Sequence, residues 1–91
     1  MGANSDIICQ KFARAETVYM KDDFYDMALR FYRNERGEEC YFRKSRKNYG
    51  KWAAECPIDP KVSNTAFEVT LGGEFITKEE YDEFDSLPPQ Y

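Results

Sequence analysis

Two alternating runs on either side of one turn tetrapeptide constrain this chain more than any other feature. Met27, Leu29 and Phe31 alternate with Ala28, Arg30 and Tyr32. Beyond Asn34-Glu35-Arg36-Gly37, the residues Glu39, Tyr41 and Arg43 alternate with Cys40, Phe42 and Lys44. A period of two places alternate side chains on opposite faces of a strand. Asn at the first and Gly at the last position of the tetrapeptide suit a type I turn closed by a left-handed residue. A helix competes for the first run. Asp22, Asp23 and Asp26 precede Arg30, Arg33 and Arg36, with Gly37 after them, the order that a helix dipole and its cap favour. The second run has no helical period and needs a partner, so a hairpin is expected.

The remaining segments extend this sheet. Ile8, Phe12 and Ala15 stand at helical spacing, which predicts a short helix over 6–16 with Ser5 as a candidate N-cap. The alternation Phe12, Arg14, Glu16, Val18 keeps a strand over about 11–20 as the alternative. A third strand is expected over 48–56, and Pro57 and Pro60 then enforce a loop through about Asn64. Phe67, Val69 and Leu71 alternate, which predicts another strand over 66–71; Gly72-Gly73 reads as a turn or bulge, with Phe75-Ile76 extended. Thr77-Lys78-Glu79-Glu80 is a capping box opening a helix to about Phe84, with Tyr81 and Phe84 toward the sheet. The expected fold is α+β: a small antiparallel sheet of four or five strands with one or two short helices, a single domain over 1–91 with 1–5 and 86–91 as flexible ends.

The composition excludes much of ordinary catalysis. Among 91 residues there is no His, so the commonest general base, the usual partner of a nucleophilic Cys or Ser and the commonest metal ligand are missing. Cys9, Cys40 and Cys56 are scattered, odd in number and without a Cys-x-x-Cys pair; buried structural thiols in a reducing compartment are expected. Glu79, Glu80, Asp82, Glu83 and Asp85 gather at a helix start and along its exposed side, where the dipole stabilises acids without any catalytic role. Gly72-Gly73 lacks the Lys and the spacing of a phosphate loop. The expectation is no catalytic residue, no metal and no cofactor. No apolar run approaches the roughly 18 residues of a membrane span, and the first residues lack the pattern of a signal peptide, so a cytoplasmic protein with no membrane partner is expected.

One segment departs from the rest in charge. Residues 30–52 hold eight bases against three acids, a local charge of +5 in a chain of −4, which leaves −9 elsewhere. Phe31, Tyr41 and Phe42 are interleaved with these bases. Cations along a hairpin can follow a phosphate backbone, and neighbouring aromatics can stack on unpaired bases or anchor a protein contact. The candidate binding residues are therefore Arg30, Tyr32, Arg33, Arg36, Arg43, Lys44, Arg46, Lys47, Tyr49, Lys51 and Trp52. The competing reading is an exposed hairpin whose charges keep an edge strand soluble. The opposite pole, Glu68 to Asp85, carries seven acids and one base and could mimic nucleic acid in a basic groove. Pro88-Pro89-Gln90-Tyr91 matches the PPxY pattern read by WW domains, most simply by chance.

A small, acidic, aromatic-rich, His-free chain resembles in composition the accessory proteins that phages use against host machinery, anti-CRISPR and anti-restriction proteins among them. The likeness rests on no particular residue. It implies a stoichiometric inhibitor that occupies a partner protein, in particular a host nucleic-acid-processing complex. The alternative expectation is a nucleic-acid-binding module using the same 30–52 segment.

Overall fold

The structure is a computed structural model and describes residues 3–24, 26–45, 55–59 and 61–84. The elements run α1 (Ala3–Ala13), β1 (Val18–Asp22), β2 (Met27–Arg33), β3 (Glu39–Ser45), β4 (Cys56–Ile58), α2 (Asn64–Gly72), β5 (Glu74–Phe75) and α3 (Lys78–Glu83). Five strands form one antiparallel sheet in the order β4-β3-β2-β1-β5, so the α+β expectation holds, with three helices rather than one or two.

The expected hairpin is the centre of this sheet. β2 and β3 pair from Met27–Ser45 to Arg33–Glu39. The Gly37 N–H donates to the Asn34 carbonyl at 2.9 Å, and Gly37 has φ +80, a left-handed conformation that glycine adopts without a Cβ clash. Asn34 fastens the turn further: its Oδ1 accepts from the backbone N–H of Arg36 and of Glu38, each at 2.9 Å.

Both sheet faces are used. On one, Val18, Met20, Leu29 and Phe31 are fully buried beneath Ala66 and Val69 of α2 and Phe12 of α1, with Ile8, Met27, Tyr41, Ile58 and Phe75 packed around them. On the other, Ala28 is buried beneath Tyr81 and Phe84, beside Tyr19 and Ile76. The alanine leaves room for Tyr81 to approach the sheet. Thr77 caps α3, with its hydroxyl accepting from the Glu80 N–H and the Glu80 carboxylate accepting from the Thr77 N–H, as the sequence implied.

Three expectations are corrected. The 66–71 segment is helix α2, not a strand. Ser63 is its N-cap, accepting from the Ala66 N–H at 3.2 Å, and Ala66 and Val69, three apart, form the buried stripe. Phe67 and Leu71, whose alternation with Val69 suggested a sheet face, are each 52% exposed on the far side of the helix. Second, Pro57 lies within β4 instead of starting a loop; the rest of the strand expected over 48–56, up to residue 54, lies outside the described residues. Third, α1 starts at Ala3, so Ser5 is inside it rather than capping it, and Ala15 is exposed beyond its end. The Asn4 side chain donates to the carbonyls of Leu71 and Gly73 at 3.1 and 3.0 Å, tying α1 to the end of α2.

The end of α1 carries a measurable strain. Glu16 N–H donates to the Lys11 carbonyl and Ala15 N–H to the Phe12 carbonyl, a Schellman closure that needs a left-handed residue, and Ala15 supplies it at φ 56. An L-residue with a Cβ is disfavoured there by roughly 1–2 kcal/mol, partly offset for glycine by its freer unfolded chain. Ala15→Gly is therefore expected to raise the unfolding free energy by up to about 1 kcal/mol. Urea unfolding of the two proteins measures it, and a loss of stability would contradict the closure.

Both sheet edges are blunted. β5 spans only Glu74 and Phe75. At the other edge, the Asn34 N–H to Glu38 carbonyl bond sets the alternation of the ladder. Glu39, Tyr41 and Arg43 thus turn their backbone groups toward β4, and Pro57, opposite Phe42, lies between the two residues that answer them. The N–H that proline lacks would have faced outward, so its presence removes a donor from the exposed edge.

Candidate interaction face

The basic and aromatic residues singled out by sequence do not form one surface. Of the eleven, Arg46, Lys47, Tyr49, Lys51 and Trp52 lie outside the described residues. The other six are divided by strand parity. Arg30, Tyr32 and Lys44 project on the face that carries α3, whereas Arg33 and Arg43 project on the face that carries α1 and α2. Arg36 is exposed in the turn.

Two of these cations serve the fold. Arg30 donates through Nε and Nη2 to the two carboxylate oxygens of Glu55, at 3.2 and 3.0 Å. Its guanidinium carbon stands 4.3 Å from the ring centre of Phe42 and 5.9 Å from that of Tyr32. The Tyr81 hydroxyl donates to the same Glu55 carboxylate. Hydrogen bonding from Arg30, and then from Tyr81, holds the Glu55 carboxyl below its ordinary range against the opposing effect of burial. Burial, reinforced by the hydrogen bond to Glu55, raises the Tyr81 phenol far above its usual value. Lys44, the last residue of the second alternating run, is buried near the end of β3. Its Nζ lies 4.4 Å from the Tyr81 ring centre and donates to the Asp82 carbonyl at 3.2 Å, answering an orphan carbonyl near the end of α3.

Arg43 is buried as well, 7% exposed, at the position opposite Leu29. Arg33 remains exposed, 4.8 Å from the Phe12 ring centre and in a 3.5 Å ion pair with Glu39. The Tyr41 hydroxyl donates to Glu39 too, and burial of its ring, ahead of that hydrogen bond, raises the phenol well above its usual value.

Among the described residues, these contacts leave open the part of the second sheet face that α3 does not cover. There Tyr32 and Phe42 lie nearly parallel, 18° apart with centres at 6.4 Å, and both are half-buried. Arg30 lies against them, held by Glu55. The result is an aromatic platform with a fixed guanidinium at one side and the exposed Arg36 turn at its end.

Sequence reasoning missed Glu55 altogether. It is the single acid between Cys40 and Ile58, and that isolation is the signal that could have marked it; its partner is 25 positions away. The cysteines are corrected also: all three are free, but Cys9 is exposed and Cys40 and Cys56 are half-buried rather than buried. Among the described residues there is no group of three or more Cys, Asp and Glu side chains able to hold a metal ion, and no helix long and apolar enough to cross a membrane. Comparisons with protein-family models, curated proteins and solved structures found no match to this chain.

Proposed function

We propose that this chain is a non-enzymatic binding protein that acts by occupying the surface of a partner protein one to one. The observation that carries this reading is the platform of Tyr32 and Phe42 with Arg30 locked beside it by Glu55. Aromatic and Arg side chains dominate the energetics of protein interfaces, and anchors already held in place lose little entropy on binding. The compositional likeness to phage-encoded inhibitors supplies the mode, blockade of a host complex such as one that processes nucleic acid. A direct nucleic-acid role is less well supported, since Arg30 and Lys44 are engaged by Glu55 and Asp82 and the whole chain carries −4.

The test is affinity capture by the tagged full chain from host lysate, with and without nuclease, followed by mass spectrometry. The expected result is a protein partner at fixed stoichiometry that survives nuclease. Tyr32→Ala combined with Arg36→Glu, two changes away from the core, is expected to weaken capture at least about tenfold, the scale of losing one interface hot spot. Capture that nuclease abolishes, or that the double variant leaves intact, would rule the reading out.

A further inference from the structure

β3 outruns β4. The ladder between them stops at Tyr41–Ile58, and Glu39 and Cys40 continue toward the hairpin turn beyond it. The cause lies in the chain after Ile58. Asp59 turns it aside, its Oδ1 accepting from the Lys61 N–H at 2.9 Å and its carbonyl from the N–H groups of Val62 and Ser63. Register would next place residue 60 opposite Glu39, and that residue is a proline, with no N–H to give to a ladder. A groove of about 710 Å³ lies where β4 ends.

Its walls combine two characters. Tyr41, Phe42, Pro57 and Ile58 supply apolar surface. Glu38, Glu39 and Asp59, all exposed, supply three carboxylates, and Lys61 is the one cation among the described lining residues. Each carboxylate is partly engaged: Glu38 with Asn34, Glu39 with Tyr41 and Arg33, and Asp59 with its own turn. A carboxylate has about four acceptor sites, so each retains capacity for a further donor. By the alternation of the ladder, the N–H and C=O of Glu39 face this groove.

We infer that this groove receives an extended, Lys- or Arg-bearing segment of a partner protein, laid in line with β4 against the end of β3. The inference deepens the binding reading above by naming the chemistry of the partner. An extended backbone answers the strand edge at Glu39, and the apolar side chains of the segment, all on one face, cover Tyr41 and Ile58. Its cations answer Glu38, Glu39 and Asp59, which would repel a phosphate backbone. The groove shares Phe42 with the aromatic platform, so one partner can span both.

The probe is a seven-residue peptide alternating lysine with valine, and its counterpart with glutamate in place of lysine. Each is titrated into the isotopically labelled full chain at low salt and followed by amide chemical shifts. The lysine peptide is expected to shift Glu39, Cys40 and Ile58 and to bind at least tenfold more tightly than the glutamate peptide. The double variant Glu38→Lys, Asp59→Lys is expected to lose at least tenfold in affinity, and Glu68→Lys, on α2, to lose none. An unperturbed Thr77 amide in the double variant verifies that it is folded. Equal binding of the two peptides, shifts centred on Glu79 and Glu80, an unchanged double variant, no binding, or self-association of the chain that the double variant abolishes would each overturn the inference. Capture of a partner that survives in the groove variant but fails in Tyr32→Ala, Arg36→Glu would sink this inference and leave the binding reading standing.

Discussion

Phe31→Ala is expected to cost about 3–5 kcal/mol of unfolding free energy, the range for removing a buried aromatic side chain and leaving a cavity. Phe31 is fully buried in the central strand, stacked on Tyr41 with ring centres 4.7 Å apart and meeting Phe12 edge-on at 6.0 Å. A domain of this size has a total stability of about 5–14 kcal/mol, so the loss is a large fraction of the whole. At a urea slope of about 1–1.5 kcal/mol/M the midpoint should fall by about 2 M or more. Tyr32→Ala, one position along and on the half-covered face, should cost about 1 kcal/mol or less. Equal losses at the two positions would show that the core does not lie where strand parity puts it.

Glu55→Ala should have the second largest effect, about 1–3 kcal/mol. The change leaves the hydroxyl of Tyr81, a side chain buried over Ala28, without its acceptor, and Arg30 without its counter-ion. The Glu55 side chain is 37% exposed, so solvent screening takes the ion-pair share toward the lower end and the orphaned phenol carries most of the cost. The pH dependence has a definite sign. Glu55 has a lowered folded-state pKa, so its contribution is fully present above the ordinary value of 4.5 and is lost as pH falls through the lowered value. The stability gap between wild type and Glu55→Gln should accordingly narrow on acidification from pH 7 toward 3. A gap that widens would mean that Glu55 is held protonated in the folded chain. Tyr81→Phe, which keeps the ring beneath Lys44 and removes only the hydroxyl, separates the phenol from the ion pair.

The hairpin and the last helix were legible because each is encoded within a few neighbouring residues. Asn34 and Gly37 make the turn through their own short-range chemistry, and Thr77 and Glu80 cap α3 three residues apart. The 66–71 segment was misread for the converse reason. Phe67, Val69 and Leu71 satisfy a strand period, while Ala66 and Val69 satisfy a helical one, and a six-residue window cannot separate them. Ser63 decides it through its bond to Ala66, a signal present in the sequence but outside the window read as a strand. The candidate site was legible only as a region. Its charge excess belongs to the sequence, but the faces on which Arg30, Arg33 and Arg43 emerge follow from the register of β2 and β3, and Arg43 and Lys44 proved buried.

By itself the sequence determined the local events of this protein: a central hairpin with its turn, a capped C-terminal helix, an α+β class, and a basic segment in an acidic chain without histidine. These depend on contacts a few residues apart, whose outcome is set by backbone sterics and near-neighbour hydrogen bonds. Tertiary structure alone decided which charges remain available to a partner. Arg30 met Glu55 from 25 positions away and Lys44 met Asp82 from 38, pairings that no local pattern encodes. A cation brought beside an acceptor on folding becomes part of the scaffold, and the surface left to a partner is what such pairings do not consume.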